Sequence, residues 1–247
     1  MTLHYEYEQN SLCGESNLNE ALLWLLPTAP FRCFDLGLSS ENMDSIGSLE
    51  VENSKQYDNY GNLKNLESEL EHFFSTISIK NVEISSKVAH IVNDLVAKIL
   101  LATNKNDAHV RVQTSLNYGD NSNDVDYRTG WHIDGDQYLS DMPIYKFVYS
   151  PKGDGTKFYP MDERVFERED EYSTNAREYK DKNDAINAGS SLKVINLNKE
   201  FSCTNAQMAV MLPGHCPHRV PTTSEDRIFI SIEPGTEEEI KYLIENE

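Results

Sequence analysis

At Ala108 the hydrophobic period of this chain changes. Upstream, Val88, Ile91, Val92, Leu95, Val96, Ile99 and Leu100 recur three and four residues apart, a spacing that gathers side chains on one face of a helix. Downstream, Val110, Val112, Thr114 and Leu116 alternate with Arg111, Gln113, Ser115 and Asn117, the period of two of a half-buried strand. Helices come first and strands afterwards. That order predicts a sheet buttressed by helices and excludes a regular alternation of strand and helix.

The rest of the chain extends the pattern. Residues 17–26 read as a short helix stopped by Pro27, 31–36 as a strand, and 39–62, polar and Gly-containing, as a loop. Residues 65–77 carry Leu66, Leu70, Phe73 and Phe74 at helical spacing. Short strands bounded by Gly, Pro or polar turns are predicted at 129–134, 144–150, 156–159, 192–196, 208–212 and 227–232. Many short strands in succession predict an α+β chain that is mainly β, a jelly roll or barrel with N-terminal helices packed on it. Its 247 residues suit one domain: a helical part over 1–107, a strand core over 108–234 with a charged insertion at about 160–190, and a C-terminal tail or short helix over 235–247.

Charge narrows the partners. Against 41 acidic residues stand 22 basic ones, a formal net charge of -19. Phosphate binding relies on Lys and Arg to displace counterions, so this balance argues against nucleic acid and against an anionic membrane surface. The apolar run 21–26 is far too short to span a bilayer, and the first residues lack the pattern of a secretory signal. Cys13, Cys33, Cys203 and Cys216 show no CxxC spacing, which predicts free thiols in a cytoplasmic protein.

Two stretches carry chemistry. In Gly-Trp-His-Ile-Asp-Gly-Asp-Gln at 130–137, a strand would turn His132 and Asp134 to the same side, two teeth of a metal grip, with Ile133 turned away. Far downstream, an apolar strand ends in a Pro-Gly turn that delivers His215 and His218, and Arg227 opens the next apolar strand. Two histidines and a carboxylate on one face of an octahedral metal leave positions open for a cosubstrate and dioxygen, an arrangement associated with non-haem Fe(II). Zinc more often takes three histidines, or two with Glu.

The set His-x-Asp, then Gly-Asp-Gly-Thr-Lys-Phe-Tyr-Pro at 153–160, then His-Arg-Val-Pro at 218–221 with the downstream Arg227, resembles the Fe(II)/2-oxoglutarate-dependent dioxygenase superfamily. The likeness covers roughly residues 108–234. It implies a double-stranded β-helix (cupin-like jelly roll), with His132, Asp134 and His218 as catalytic iron ligands. His218 is preferred to His215 because it fits the distal motif and its spacing to Arg227. Arg227 corresponds to the arginine that pairs with the distal carboxylate of 2-oxoglutarate, where a planar fork can make two parallel hydrogen bonds. Many family members carry Ser two residues later, where this chain has Phe229; Thr156 of the Gly-Asp-Gly-Thr turn is the candidate for a second contact.

The resemblance implies Fe(II), 2-oxoglutarate and dioxygen as cofactor and cosubstrates, with succinate and CO2 released. Related halogenases replace the carboxylate ligand by a small residue, so Asp134 favours hydroxylation or oxidative demethylation. The expected substrate is a small molecule, an amino acid or a protein side chain. Gln113, Tyr127, Trp131, Tyr145 and Asp136 stay unassigned on the substrate side. Alternatives are an oxidase of the same fold that uses no 2-oxoglutarate, a zinc hydrolase on a cupin-like barrel, and a non-catalytic jelly-roll binding or scaffold protein with a vestigial metal site.

Overall fold

The computed structural model describes residues 18–26, 30–51, 54–78, 81–115, 134, 144–159, 201–221 and 226–246. The strand at 192–196, the insertion at 160–190, all of 129–134 except Asp134, and the candidates His132, Tyr127, Trp131 and Asp136 lie outside the described residues.

Two long helices form one layer. Helix α3 (Leu63–Ile77) is capped by Asn62, whose side chain accepts from the Asn65 N–H, and it buries Leu66, Leu70, Phe73, Phe74 and Ile77. Helix α4 (Val82–Thr103) begins at Asn81, whose side chain accepts from the Ile84 N–H. It ends at Asn104, which takes the left-handed conformation (φ 53) and returns its N–H to the Leu100 and Leu101 carbonyls. The predicted stripe from Val88 to Leu100 is its buried face. Shorter helices α1 (Leu18–Leu23) and α2 (Ser40–Gly47) precede them, and α5 (Glu237–Asn246) ends the described chain.

The helices cover a six-stranded antiparallel sheet in the order β1-β7-β4-β9-β3-β2. Its strands are β1 (Phe31–Asp35), β2 (Gln56–Asn62), β3 (Asp107–Ser115), β4 (Lys146–Lys152), β7 (Gln207–Met211) and β9 (Arg227–Gly235). Period two sorts their side chains. Ala108, Val110, Val112, Phe147, Tyr149, Met208, Val210, Ile228, Ile230 and Ile232 share one core with the helices.

The opposite face meets a small antiparallel sheet, β6-β5-β8, made of β5 (Lys157–Phe158), β6 (Phe201–Ser202) and β8 (His218–Arg219). Phe31, Val148, Ala209 and Met211 of the large sheet pack with Phe158 of the small one, and the Phe31 and Phe158 rings stack at 4.9 Å. From β4 the chain crosses to the small sheet for β5 and β6, back for β7, out again for β8 and back for β9.

Two expectations are corrected. Residues 39–62 are not a loop throughout: Ser39 caps α2 through the Asn42 N–H, and β2 pairs along its whole length with β3. Polar composition hid both, because α2 and the edge strand β2 bury only Ile46 and Tyr57 as large apolar groups. The cysteines are not all free thiols: Cys33 and Cys203 form a disulfide across 170 residues, and Cys216 is buried and, among the described residues, unbonded. Spacing along a chain does not reveal a pair that the fold brings together from β1 and the segment after β6. Such bonds persist in oxidising surroundings, so the thiol content no longer supports a cytoplasmic location. Among the described residues no helix is long and apolar enough to cross a membrane.

The disulfide closes so long a loop that its removal should cost about 2–5 kcal/mol of stability. A Cys33→Ser/Cys203→Ser chain is expected to unfold at lower urea concentration than the oxidised wild type, and matching midpoints would contradict the bond.

Candidate functional site

His218 opens β8 and lies directly across from Phe158 of β5. Its Nδ1 is 2.8 Å from the Cys216 carbonyl oxygen. A carbonyl only accepts, so Nδ1 carries the proton, and in the neutral ring Nε2 presents its lone pair. That nitrogen faces Asp134 Oδ1 at 3.6 Å. The separation is too long for a hydrogen bond. It fits two ligands of one ion, whose donor atoms, each ~2.1 Å from the metal, stand at most ~4.2 Å apart. A fixed imidazole tautomer is also what a metal ligand needs, since the other ring nitrogen sets its orientation. Nitrogen and carboxylate oxygen together suit a first-row divalent ion. Among the described residues no third His, Cys, Asp or Glu completes a ligand group.

Asp134 also meets a buried cation. Lys146, the first residue of β4, places Nζ 2.8 Å from Asp134 Oδ2 and 3.5 Å from Glu233 Oε1. Burial by itself would lower the Lys146 pKa, but the two carboxylates outweigh it and hold the ammonium above its ordinary value. Burial would likewise raise Glu233, yet Lys146 and His109 keep it below the usual carboxylate range. His109 of β3 lies between Glu233 Oε2, 3.3 Å from Nδ1, and Asp58 Oδ1, 2.5 Å from Nε2. Carboxylates only accept, so both ring nitrogens donate and the ring is a cation. Desolvation opposes that charge, but Glu233 and Asp58 raise the His109 pKa overall. Arg111 Nε holds the other Asp58 oxygen at 3.0 Å.

A second cluster surrounds Arg227, the first residue of β9 and 3 % exposed. Its Nε donates to the Asp154 carbonyl at 2.9 Å, and its Nη2 reaches Ser150 Oγ at 3.3 Å and Thr156 Oγ1 at 3.4 Å. The guanidinium carbon lies 5.0 Å from the centre of the Phe229 ring, within cation–π range. The Gly-Asp-Gly-Thr turn is built for this approach. Gly153 has φ +76, and a Cβ there would come within 2.8 Å of the Asp226 carbonyl; one on Gly155 would come within 2.5 Å of the Cys203 carbonyl. Ser150 sits where the pairing of β4 and β9 shifts register between Tyr149 and Lys152, a bulge that re-aims side chains.

The structure thus brings together Asp134 with His218, and Arg227 with Thr156. His215 occupies the 3₁₀ turn Pro213–His215 before β8, its Nδ1 buried without a hydrogen-bond partner among the described residues. Gln113 lies on β3 opposite Phe229, and Tyr145 packs toward the helix-covered core. Four neighbours of these groups escaped the sequence reading: Lys146, Glu233, His109 and Ser150. A signal existed for three of them. A charge or imidazole inside an apolar alternation, as in Tyr-Lys-Phe-Val, Ser-Ile-Glu-Pro and Ala-His-Val, marks a strand whose second face buries polar groups.

No family model matches the chain, and no curated protein matches it in sequence. Solved structures give distant likenesses. They include a Pseudomonas putida prolyl-4-hydroxylase (TM-score 0.37, 10% identity, 84% of this chain and 92% of that one). A Trichoplax adhaerens prolyl hydroxylase in complex with a hypoxia inducible factor peptide fragment aligns at TM-score 0.41 and 11% identity, over 90% of each chain. HygX from Streptomyces hygroscopicus, with nickel and 2-oxoglutarate bound, aligns at TM-score 0.44 and 12% identity, over 90% of this chain and 88% of its own. Likenesses this distant identify neither activity nor ligand, so the functional weight rests on the side chains.

The His109 cation gives the fold a pH dependence of known sign. With its folded pKa raised, its contribution is complete below the unfolded value of about 6.5 and is lost as pH rises through the folded value. Glu233 and Asp58 are lowered and Lys146 is raised, so these three stay charged across that window. His109→Gln is expected to cost on the order of 1–3 kcal/mol near pH 6 and less near pH 9. Urea unfolding at both pH values measures this, and a pH-independent difference would refute the assignment.

Proposed function

We propose that this chain is a non-haem Fe(II), 2-oxoglutarate-dependent dioxygenase that hydroxylates or oxidatively demethylates a small molecule, an amino acid or a protein side chain. In this reading the two sheets are the halves of a double-stranded β-helix. The observation that carries it is the fixed His218 imidazole, its Nε2 turned to Asp134 Oδ1 at 3.6 Å. His132, two residues before Asp134 in the His-x-Asp motif, supplies the third ligand in this reading.

The Arg227 cluster binds the distal carboxylate of 2-oxoglutarate. Its guanidinium is always charged and buried, and the Ser150 and Thr156 hydroxyls beside it are positioned to donate to the same carboxylate. Ser150 takes the part that a serine at position 229 plays in many family members, while Phe229 supports the guanidinium from below. When bound, the iron activates dioxygen for substrate oxidation, coupled to decarboxylation of 2-oxoglutarate to succinate and CO2. The protein's own share is to aim the ligands, hold the cosubstrate by its far end and keep water from the reacting C–H bond.

Anaerobic addition of Fe(II) and 2-oxoglutarate should produce a visible charge-transfer absorption and, with oxygen, succinate. Asp134→Ala and His218→Ala are expected to lose both. Arg227→Met should retain iron binding but need roughly ten- to a hundredfold more 2-oxoglutarate, the loss of 1.5–3 kcal/mol of charge-assisted hydrogen bonding. A folded, iron-loaded protein with no such band would sink the cosubstrate assignment.

A further inference from the structure

We propose that Lys146 is a positioning residue for the metal centre: it grips Asp134 by Oδ2, leaving Oδ1 turned toward His218, while Glu233, braced by His109, holds Lys146 in place. This rests on the metal-centre reading above. The two oxygens of Asp134 are divided between partners, Oδ2 to the Lys146 ammonium at 2.8 Å and Oδ1 to the His218 side at 3.6 Å. Carboxylates rotate easily and can chelate through both oxygens, so a hydrogen bond that occupies one of them fixes the ligand as a single-oxygen donor. A lysine stem has four rotatable carbons and would wander if exposed. Here it is 10 % exposed, and its backbone is fixed by pairing with Met211 on one side.

Charge decides why Glu233 belongs to the device. An isolated ammonium beside a divalent ion would repel it, but Glu233 Oε1 stands 3.5 Å from Lys146 Nζ, so the two together are nearly neutral at the metal. What remains is orientation. Glu233 is in turn kept in place by the His109 Nδ1–H at 3.3 Å, and its side chain is only 2 % exposed. The brace continues to Asp58 and Arg111 on the outer strands.

The test is Mn(II) binding to the full chain, followed by loss of the free-ion paramagnetic resonance signal, with no turnover involved. Lys146→Met/Glu233→Gln removes one positive and one negative charge together, so the net charge is unchanged while the grip on Asp134 is lost and the Gln amide oxygen can still accept from His109. Mn(II) affinity is expected to fall about 10- to 100-fold, with the metal-free chain still folded by circular dichroism. Lys146→Gln/Glu233→Gln, whose amide still donates to Asp134, should recover part of the loss and serves where the methionine chain folds poorly. Wild-type affinity in the methionine double variant, or equal loss in both, overturns the positioning role of Lys146. A wild-type chain that binds no Mn(II) overturns the metal centre itself, and the positioning role with it.

Discussion

A lysine ammonium that is almost completely buried keeps its charge only where carboxylates replace the water it lost, and Lys146 meets that condition through Asp134 and Glu233. Much of the inner face is organised by this requirement. Lys146 stands on β4, Glu233 on β9, His109 on β3 and Asp58 on β2, so the charges form a row across four strands of the large sheet. With Arg111 and Asp134 included, three cations face three anions. Removing Lys146 or Glu233 alone leaves a buried charge without its partner, which costs several kcal/mol, whereas the intact row contributes little net stability over an apolar equivalent. Such a row is kept for what it holds in place, and its inner end is Asp134.

The two ends of β9 set the scale of the site. Arg227 opens the strand and Glu233 is six residues on, about 20 Å along an extended backbone. Arg227 reaches across to Thr156, and Phe158, two residues or roughly 7 Å further along, is paired with His218. Under the proposed function, a ligand held by its carboxylate at Arg227 would run along β5 toward His218. Beside this polar half, Phe31, Val148, Phe158, Ala209 and Met211 pack between the sheets, and the Phe31 and Phe158 rings stack on each other.

The features readable from sequence were those written in periodicity. The α4 stripe from Val88 to Leu100 and the alternation from Val110 onward needed no tertiary context, because burial on one face imposes the pattern directly. Asp134, His218, Arg227 and Thr156 were singled out together through the resemblance, and the structure sets Arg227 beside Thr156 and His218 beside Asp134, residues 71 and 84 positions apart. Lys146, Glu233 and His109 left only a weak mark, a charge or imidazole inside an apolar alternation, which does not by itself tell a buried polar face from a solvated one. Ser150 depended on a register shift between β4 and β9, and the Cys33–Cys203 bond on the pairing of β1 with β7; neither leaves a local trace.

The disulfide and the Arg227 cluster meet at one glycine. Cys33 lies on β1, at the edge of the large sheet, and Cys203 immediately follows β6 of the small sheet, so the bond ties the two sheets at their outer margin. The carbonyl of Cys203 then presses on Gly155 so closely that no side chain fits there, and the Ser202 hydroxyl donates to the Gly155 carbonyl at 3.2 Å. Gly155 is flanked by Asp154 and Thr156, which both touch the Arg227 guanidinium. A larger residue at 155 would have to push either the disulfide-bonded segment or the turn, and the turn carries the groups that aim the arginine. Close packing rather than flexibility is therefore what position 155 supplies: it lets a covalent tie between β1 and the segment after β6 bear on the turn beside the carboxylate anchor.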